Sequence, residues 1–208
     1  MLHGYDGVSF WVDIGISLKR LGIGWGLAIV VGVAIGLITG LSSTGRAIFD
    51  PIIEFYRPIP PLGYLSLLII WFGIGESSKD IVLFLAALPP TVLNTADGVK
   101  NVRFDRIQGV LTLGGRRRDV IRYVILPSSL PGIITGTRVS FGNAFSTLVA
   151  AELLAASSGL GWLSIQASNY LDTRIVIFVV IVMGIMGFGI DRAIRIIQAR
   201  VCPWQGHG

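Results

Sequence analysis

The chain has 208 residues, 52% of them hydrophobic and only 14% charged, with a net charge of +5 and a mean hydropathy of +0.73. Water-facing domains carry about 25% charged residues, so the composition excludes an ordinary soluble protein and points to an all-α, polytopic membrane protein. The pI of 9.8 does not indicate nucleic acid, because the basic residues sit in short loops between apolar runs and build no long cationic face or aromatic platform.

One cysteine, Cys202, and two histidines at opposite ends, His3 and His207, cannot make an internal disulfide, a metal site or a His-centred catalytic cluster. Residues 1–10 contain His3 and Asp6 and no basic stretch ahead of an apolar core, so no cleaved signal peptide is predicted.

In chain order, residues 21–45 carry no charge and are long enough to span the ~20 apolar residues a bilayer requires. Ala28, Gly32, Gly36 and Gly40 recur four apart, a small-residue stripe for close packing of another helix. Residues 43–61 place Arg46, Asp50, Glu54 and Arg57 at helical spacing among Ile48, Ile52, Ile53 and Phe55. This reads as a short amphipathic interfacial segment, ended by Pro58, Pro60 and Pro61. Residues 62–75 are apolar but short, with Trp71 and Phe72 at an interfacial position and a turn at 73–76. The next span, 81–96, contains Pro89-Pro90, which should kink it. A basic stretch follows, then a long span over about 128–154 holding Arg138, Asn143 and Glu152. Residues 155–169 are small and glycine-rich and read as a re-entrant or external connection. The last apolar run is 175–190, followed by a basic amphipathic tail. The expectation is one transmembrane domain over 1–208, with about five spanning helices and a large basic loop at about 97–127.

If that loop faces the cytoplasm, twelve Lys and Arg lie inside and four (Lys19, Arg20, Lys79, Arg174) outside, the bias expected of a membrane protein. This topology places the N-terminus outside, which is unusual, and a further helix upstream is expected.

Within the loop, Phe104, Ile107, Val110 and Leu111 share one helical face, bordered by Arg103, Arg106, Arg116, Arg117 and Arg118. Periodicity alone fits two readings. One is an apolar ridge filling a partner's groove; the other is an interfacial helix on anionic headgroups. The spacing is similar to the ATPase-docking loop of ABC importer permeases: Glu-Ala-Ala, three residues, Gly, nine residues, Ile, one residue, Leu-Pro. Here Gln108, Gly109 and Val110 replace the triplet, Gly114 matches, Val124 replaces the isoleucine, and Leu126-Pro127 match. Residues 40–79 and 146–163 and the closing CPWQG extend the resemblance to the permeases of taurine, alkanesulfonate, nitrate and bicarbonate importers.

The resemblance implies a type I importer permease fold, usually with six helices, in a bacterial inner membrane. It implies half of a homodimeric pore, with ABC ATPase subunits docked on Phe104, Ile107, Gln108, Gly109, Val110, Gly114, Arg116, Arg117, Arg118, Leu126 and Pro127, and a soluble binding protein delivering substrate. No catalytic residue is expected. The chain has no G-x-x-x-x-G-K-[ST] phosphate loop, so ATP and Mg are expected on the partner ATPase. Asn143, Ser146 and Glu152 are candidate pore-lining groups, since polar residues within a span usually face protein or a water-filled path; structural hydrogen bonding is the alternative for Glu152. A secondary transporter would need internal repeats and several ionisable groups in its spans, neither of which is evident. A passive channel does not explain the loop spacing.

Overall fold

The computed structural model describes residues 10–203, and His3, His207 and residues 204–206 of the closing motif lie outside them. The described residues form helices and connecting turns, with no strand. They run α1 (Phe10–Leu41), α2 (Ser43–Tyr56), α3 (Pro61–Phe72), α4 (Glu76–Lys100), α5 (Phe104–Thr112), α6 (Arg117–Val120), a π-helical turn (Ile121–Ile125), α7 (Leu126–Ala155), α8 (Leu160–Asn169) and α9 (Thr173–Val201). Among the described residues α1, α4 and α9 are long and apolar enough to cross a membrane, and the stretch 117–155 taken together with α8, at a 46° bend, makes a fourth. The fifth expected span corresponds to α3, whose 12 residues rise only about 18 Å, short of a hydrocarbon core of about 30 Å.

Three boundaries differ from the sequence reading. The first span begins at Phe10 rather than at residue 21, so α1 carries Asp13, Lys19 and Arg20 inside the helix. The last apolar run and the basic tail are one continuous 29-residue helix. The Leu126-Pro127 pair does not close the loop, because helical backbone runs through it from Arg117 to Ala155. Pro127 lacks an amide donor and would crowd the carbonyl four residues earlier. The π turn immediately before it is the widened geometry that tolerates such a break.

The chain divides into two compact units. The first holds residues 10–28, 59–87 and 141–192. One of its cores is Phe10, Leu160, Leu163, Val179 and Met183, and another is Leu65, Leu68, Val82 and Ala151. Ala28 is fully buried there, and a Cβ on Gly24 would fall 2.6 Å from that of Leu83.

The second unit holds residues 29–58, 88–140 and 193 onward. Here a Cβ on Gly32, Gly36 or Gly40 would fall 2.8, 2.5 and 2.6 Å from the Cβ atoms of Thr91, Thr95 and Val99. The stripe thus lets α1 and α4 approach until only hydrogen fits between them. Gly98 and Gly132 make the equivalent close approach between α4 and α7. Ser42 caps α2, its Oγ accepting from the Gly45 amide at 3.2 Å. Ile53 is buried beneath that helix while Ile48, Ile52 and Phe55 are exposed, as an interfacial segment requires.

Candidate functional site

The loop between α4 and α7 is built to stand away from its own chain. No residue of α5 is buried: Ile107 and Val110 are half-buried, while Gln108, Gly109 and Leu111 are exposed. Phe104 is 71% exposed and Leu113, just beyond the helix, is 90% exposed. Arg103, Arg106, Arg116, Arg117 and Arg118 are all exposed around them. Arg103 grips Asp105 through two bonds of 3.1 and 2.7 Å, which holds the Asp105 carboxyl below the usual carboxylate range.

Gly114 follows with φ +82°, a left-handed conformation that a side chain disfavours. It lets the chain double back so that the Gly115 amide donates to the Val110 carbonyl at 2.9 Å. Asp119 then accepts from the Arg116 amide at 2.8 Å and starts α6. Val120 and Val124 are buried and anchor the loop's far side, with Pro127 half-buried and Leu126 at its exposed edge. A cavity of about 490 Å³ opens beside this region, lined by Asn94, Asp97, Asn101, Arg106, Ser128 and Thr135 among others.

On α7, Asn143 and Ser146 are exposed on one side, with Phe141, Ala144 and Leu148 buried on the other. Ser146 donates to the Gly142 carbonyl at 3.0 Å. Glu152 does not share that open side. It is 1% exposed and its carboxylate is fully engaged, so it takes the structural hydrogen-bonding role and is removed from the pore-lining candidates.

Its partners form a network that the sequence reading missed. Asp13, Ser17 and Arg20 lie on one face of α1, at i, i+4 and i+7, and all are buried. Ser17 donates to Glu152 at 2.7 Å and accepts from the Leu160 amide at 3.0 Å. Asp13 accepts from the Gly159 amide at 2.8 Å, and Glu152 accepts from the Gly161 amide at 2.9 Å. Two carboxylates and a hydroxyl therefore cap the N-terminus of α8, where orphan amides and the helix dipole favour negative charge.

Arg20 uses all five of its N–H donors. Nε and Nη2 donate to Glu76 at 2.6 and 2.8 Å. Nη1 donates to Glu152 at 2.7 Å and to the Ser158 carbonyl at 2.8 Å. Nη2 also reaches the Ser158 hydroxyl at 3.1 Å. Lys79, buried as well, donates to Glu76 at 3.2 Å. Gly159 turns the chain here at φ +108°, and a Cβ on it would strike the Glu152 carboxylate carbon at 2.6 Å and Arg20 Nη1 at 2.8 Å. The i, i+4, i+7 spacing was the available signal, hidden because the helix was started at residue 21.

Among the described residues no group of three His, Cys, Asp or Glu could hold a metal ion. Residues 28–202 match the family described as the binding-protein-dependent transport system inner membrane component. The chain belongs to this family. It is 43% identical over 204 residues to the taurine transport system permease protein of Escherichia coli, covering 98% of this chain and 74% of that one. It is 32% identical over 200 residues to the nitrate import permease protein of Leptolyngbya laminosa, covering 96% and 71%. A solved chain of the inward-facing MetNI methionine ABC transporter superimposes with a TM-score of 0.79 at 17% identity, covering 92% of this chain and 97% of that one. The protein is therefore an ABC importer permease with the type I importer fold, a transport subunit with several apolar helices.

Proposed function

We propose that this permease forms half of the translocation pore of an ATP-driven importer for a small organic sulfonate, taurine, in a bacterial inner membrane. A second copy of the chain supplies the other half. Two ATPase subunits, which hold ATP and Mg, dock on the cytoplasmic loop between α4 and α7, and a soluble binding protein delivers substrate at the opposite side.

The observation that carries this reading is α5. Phe104, Leu111 and the following Leu113 remain uncovered by their own chain and are rimmed by five arginines. An apolar ridge with a cationic border suits a groove on a partner. Ile107, Gln108, Gly109, Val110 and Gly114 complete that surface, and Arg116, Arg117 and Arg118 fix its orientation. Motion of the docked ATPase then passes through the helical stretch from Arg117 across Leu126 and Pro127 into α7. Asn143 and Ser146, on the open side of that helix, line the pore.

Taurine is preferred because of the likeness to the Escherichia coli taurine permease; nitrate, favoured by the likeness to the Leptolyngbya protein, and bicarbonate are the runners-up. Proteoliposomes holding this chain, a candidate ATPase and a binding protein test the reading. ATP hydrolysis should rise when labelled taurine is supplied, more than with other sulfonates, nitrate or bicarbonate. Uptake that persists without any ATPase would sink the importer reading, and preference for nitrate would replace the substrate.

A further inference from the structure

The five bonds of Arg20 are unequal in one respect. Glu152 and Arg20 are each 1% exposed, whereas Glu76 is 57% exposed. Parting a buried charge pair leaves an uncompensated ion and is strongly unfavourable. In the Arg20–Glu76 pair only the carboxylate meets solvent, so on parting it is the carboxylate that rehydrates, while the buried guanidinium keeps Glu152 and Ser158. The network thus has a sealed half and a releasable half.

The sealed half binds α1 (Asp13, Ser17, Arg20), the last turns of α7 (Glu152) and the start of α8 (amides of Gly159, Leu160 and Gly161) into one block. The releasable half attaches the first residue of α4, Glu76, to that block. α4 leads from Glu76 to the docking loop at its other end, and α7 leads from the loop to Glu152. Along the chain, both carboxylate partners of Arg20 therefore belong to the ends of these helices that do not join the loop.

We propose that Arg20 is a positioning residue for transport, a latch that holds the turn before α8 against the first turn of α4 and lets go at Glu76 when that end of the permease rearranges. Lys79, one turn along α4, supports Glu76 from its own helix, so the carboxylate remains paired when the guanidinium leaves. The block on the Arg20 side keeps its internal bonds throughout. The inference rests on the importer reading, since a rearrangement at this end matters only if substrate passes there.

Two measurements separate the latch from a merely structural ion pair. The first uses the permease reconstituted in liposomes with ATPase and binding protein, reading the ratio of binding-protein-stimulated to basal ATP hydrolysis. Glu76→Gln is the primary variant, because a residue 57% exposed tolerates substitution without unfolding. The ratio should fall about fivefold, the scale of a typical coupling energy, with the melting temperature unchanged, and Glu76→Asp should restore part of it. A ratio unchanged in Glu76→Gln, or one that falls only in step with the melting temperature, would overturn the proposal.

The second needs no partner: spin labels at Ser77→Cys and Ser157→Cys, both exposed, in a Cys202→Ser background of the detergent-solubilised chain. The latch predicts one narrow distance in this parent protein and a broadened or second distance in Glu76→Gln; identical distributions would overturn it. If the parent chain shows no stimulation by any binding protein, the importer reading fails, and the distance pair still decides whether the latch exists.

Discussion

The loop between α4 and α7 and the network around Arg20 use the same residue type in opposite ways. In the loop, Arg106, Arg116, Arg117 and Arg118 are exposed beside uncovered apolar side chains. In the network, one arginine is buried with every donor satisfied from inside the chain. An arginine left to solvent at an apolar rim is free to serve a second molecule. One enclosed by two glutamates and a carbonyl is committed to partners within its own chain. Two of the four cations expected on the outer side, Arg20 and Lys79, belong to this enclosed class, and setting them aside sharpens the charge asymmetry between the two sides.

The largest effect is expected at Arg20. Arg20→Met strands the Glu152 carboxylate in the interior and should cost about 3–5 kcal/mol, read as loss of monodisperse protein after extraction and a collapsed melting transition. Replacing Arg116, Arg117 and Arg118 together by Ala should change stability by no more than about 0.5 kcal/mol while abolishing co-purification of the ATPase. If the triple variant unfolds and Arg20→Met does not, the two regions have been assigned the wrong way round.

Gly36→Val tests the helix contact, since its Cβ would meet the Thr95 Cβ at 2.5 Å. Overpacking of this kind costs about 1–3 kcal/mol, measurable by thermal unfolding in detergent. Gly114→Ala has no neighbour within 4 Å of the added carbon, so its cost is the left-handed backbone alone, about 1–2 kcal/mol. That loss should be confined to the loop and read as weaker ATPase binding with the main melting transition unmoved. Ser146→Ala should alter stability by less than about 0.5 kcal/mol yet change the rate of uptake, which a residue outside the pore would leave alone.

The loop was legible because its information is local. The ridge spacing of Phe104, Ile107, Val110 and Leu111 and the glycine at 114 all fall within one short stretch, and the positive φ of Gly114 gives that glycine its physical reason. The small-residue stripe on α1 was legible for the same reason. The network was not, because the bonds that tie α1 to α7 and α8 join residues 132 to 146 positions apart along the chain. The charges ahead of residue 21 mark the end of a span in the sequence, yet Asp13 and Arg20 lie on a buried face of the helix whose partners only the fold supplies, while Lys19 is exposed. For Glu152 the sequence leaves two roles open, pore lining and structural hydrogen bonding. Ser17, Arg20 and the Gly161 amide around its two oxygens favour the second. The π turn ahead of Pro127 was likewise hidden, since a proline after a loop reads equally as a stop or as the first turn of the next helix.

The proposed role of the exposed ridge of α5 is to receive the ATPase. Site-specific photocrosslinking in membrane vesicles tests it most directly, with a photoreactive amino acid placed at Phe104 and, for contrast, at Tyr170, which is also exposed but belongs to the α8–α9 turn. An adduct with the ATPase is expected from position 104 and none from position 170. An adduct from position 170, or none from position 104 in vesicles that hydrolyse ATP in response to substrate, would contradict it.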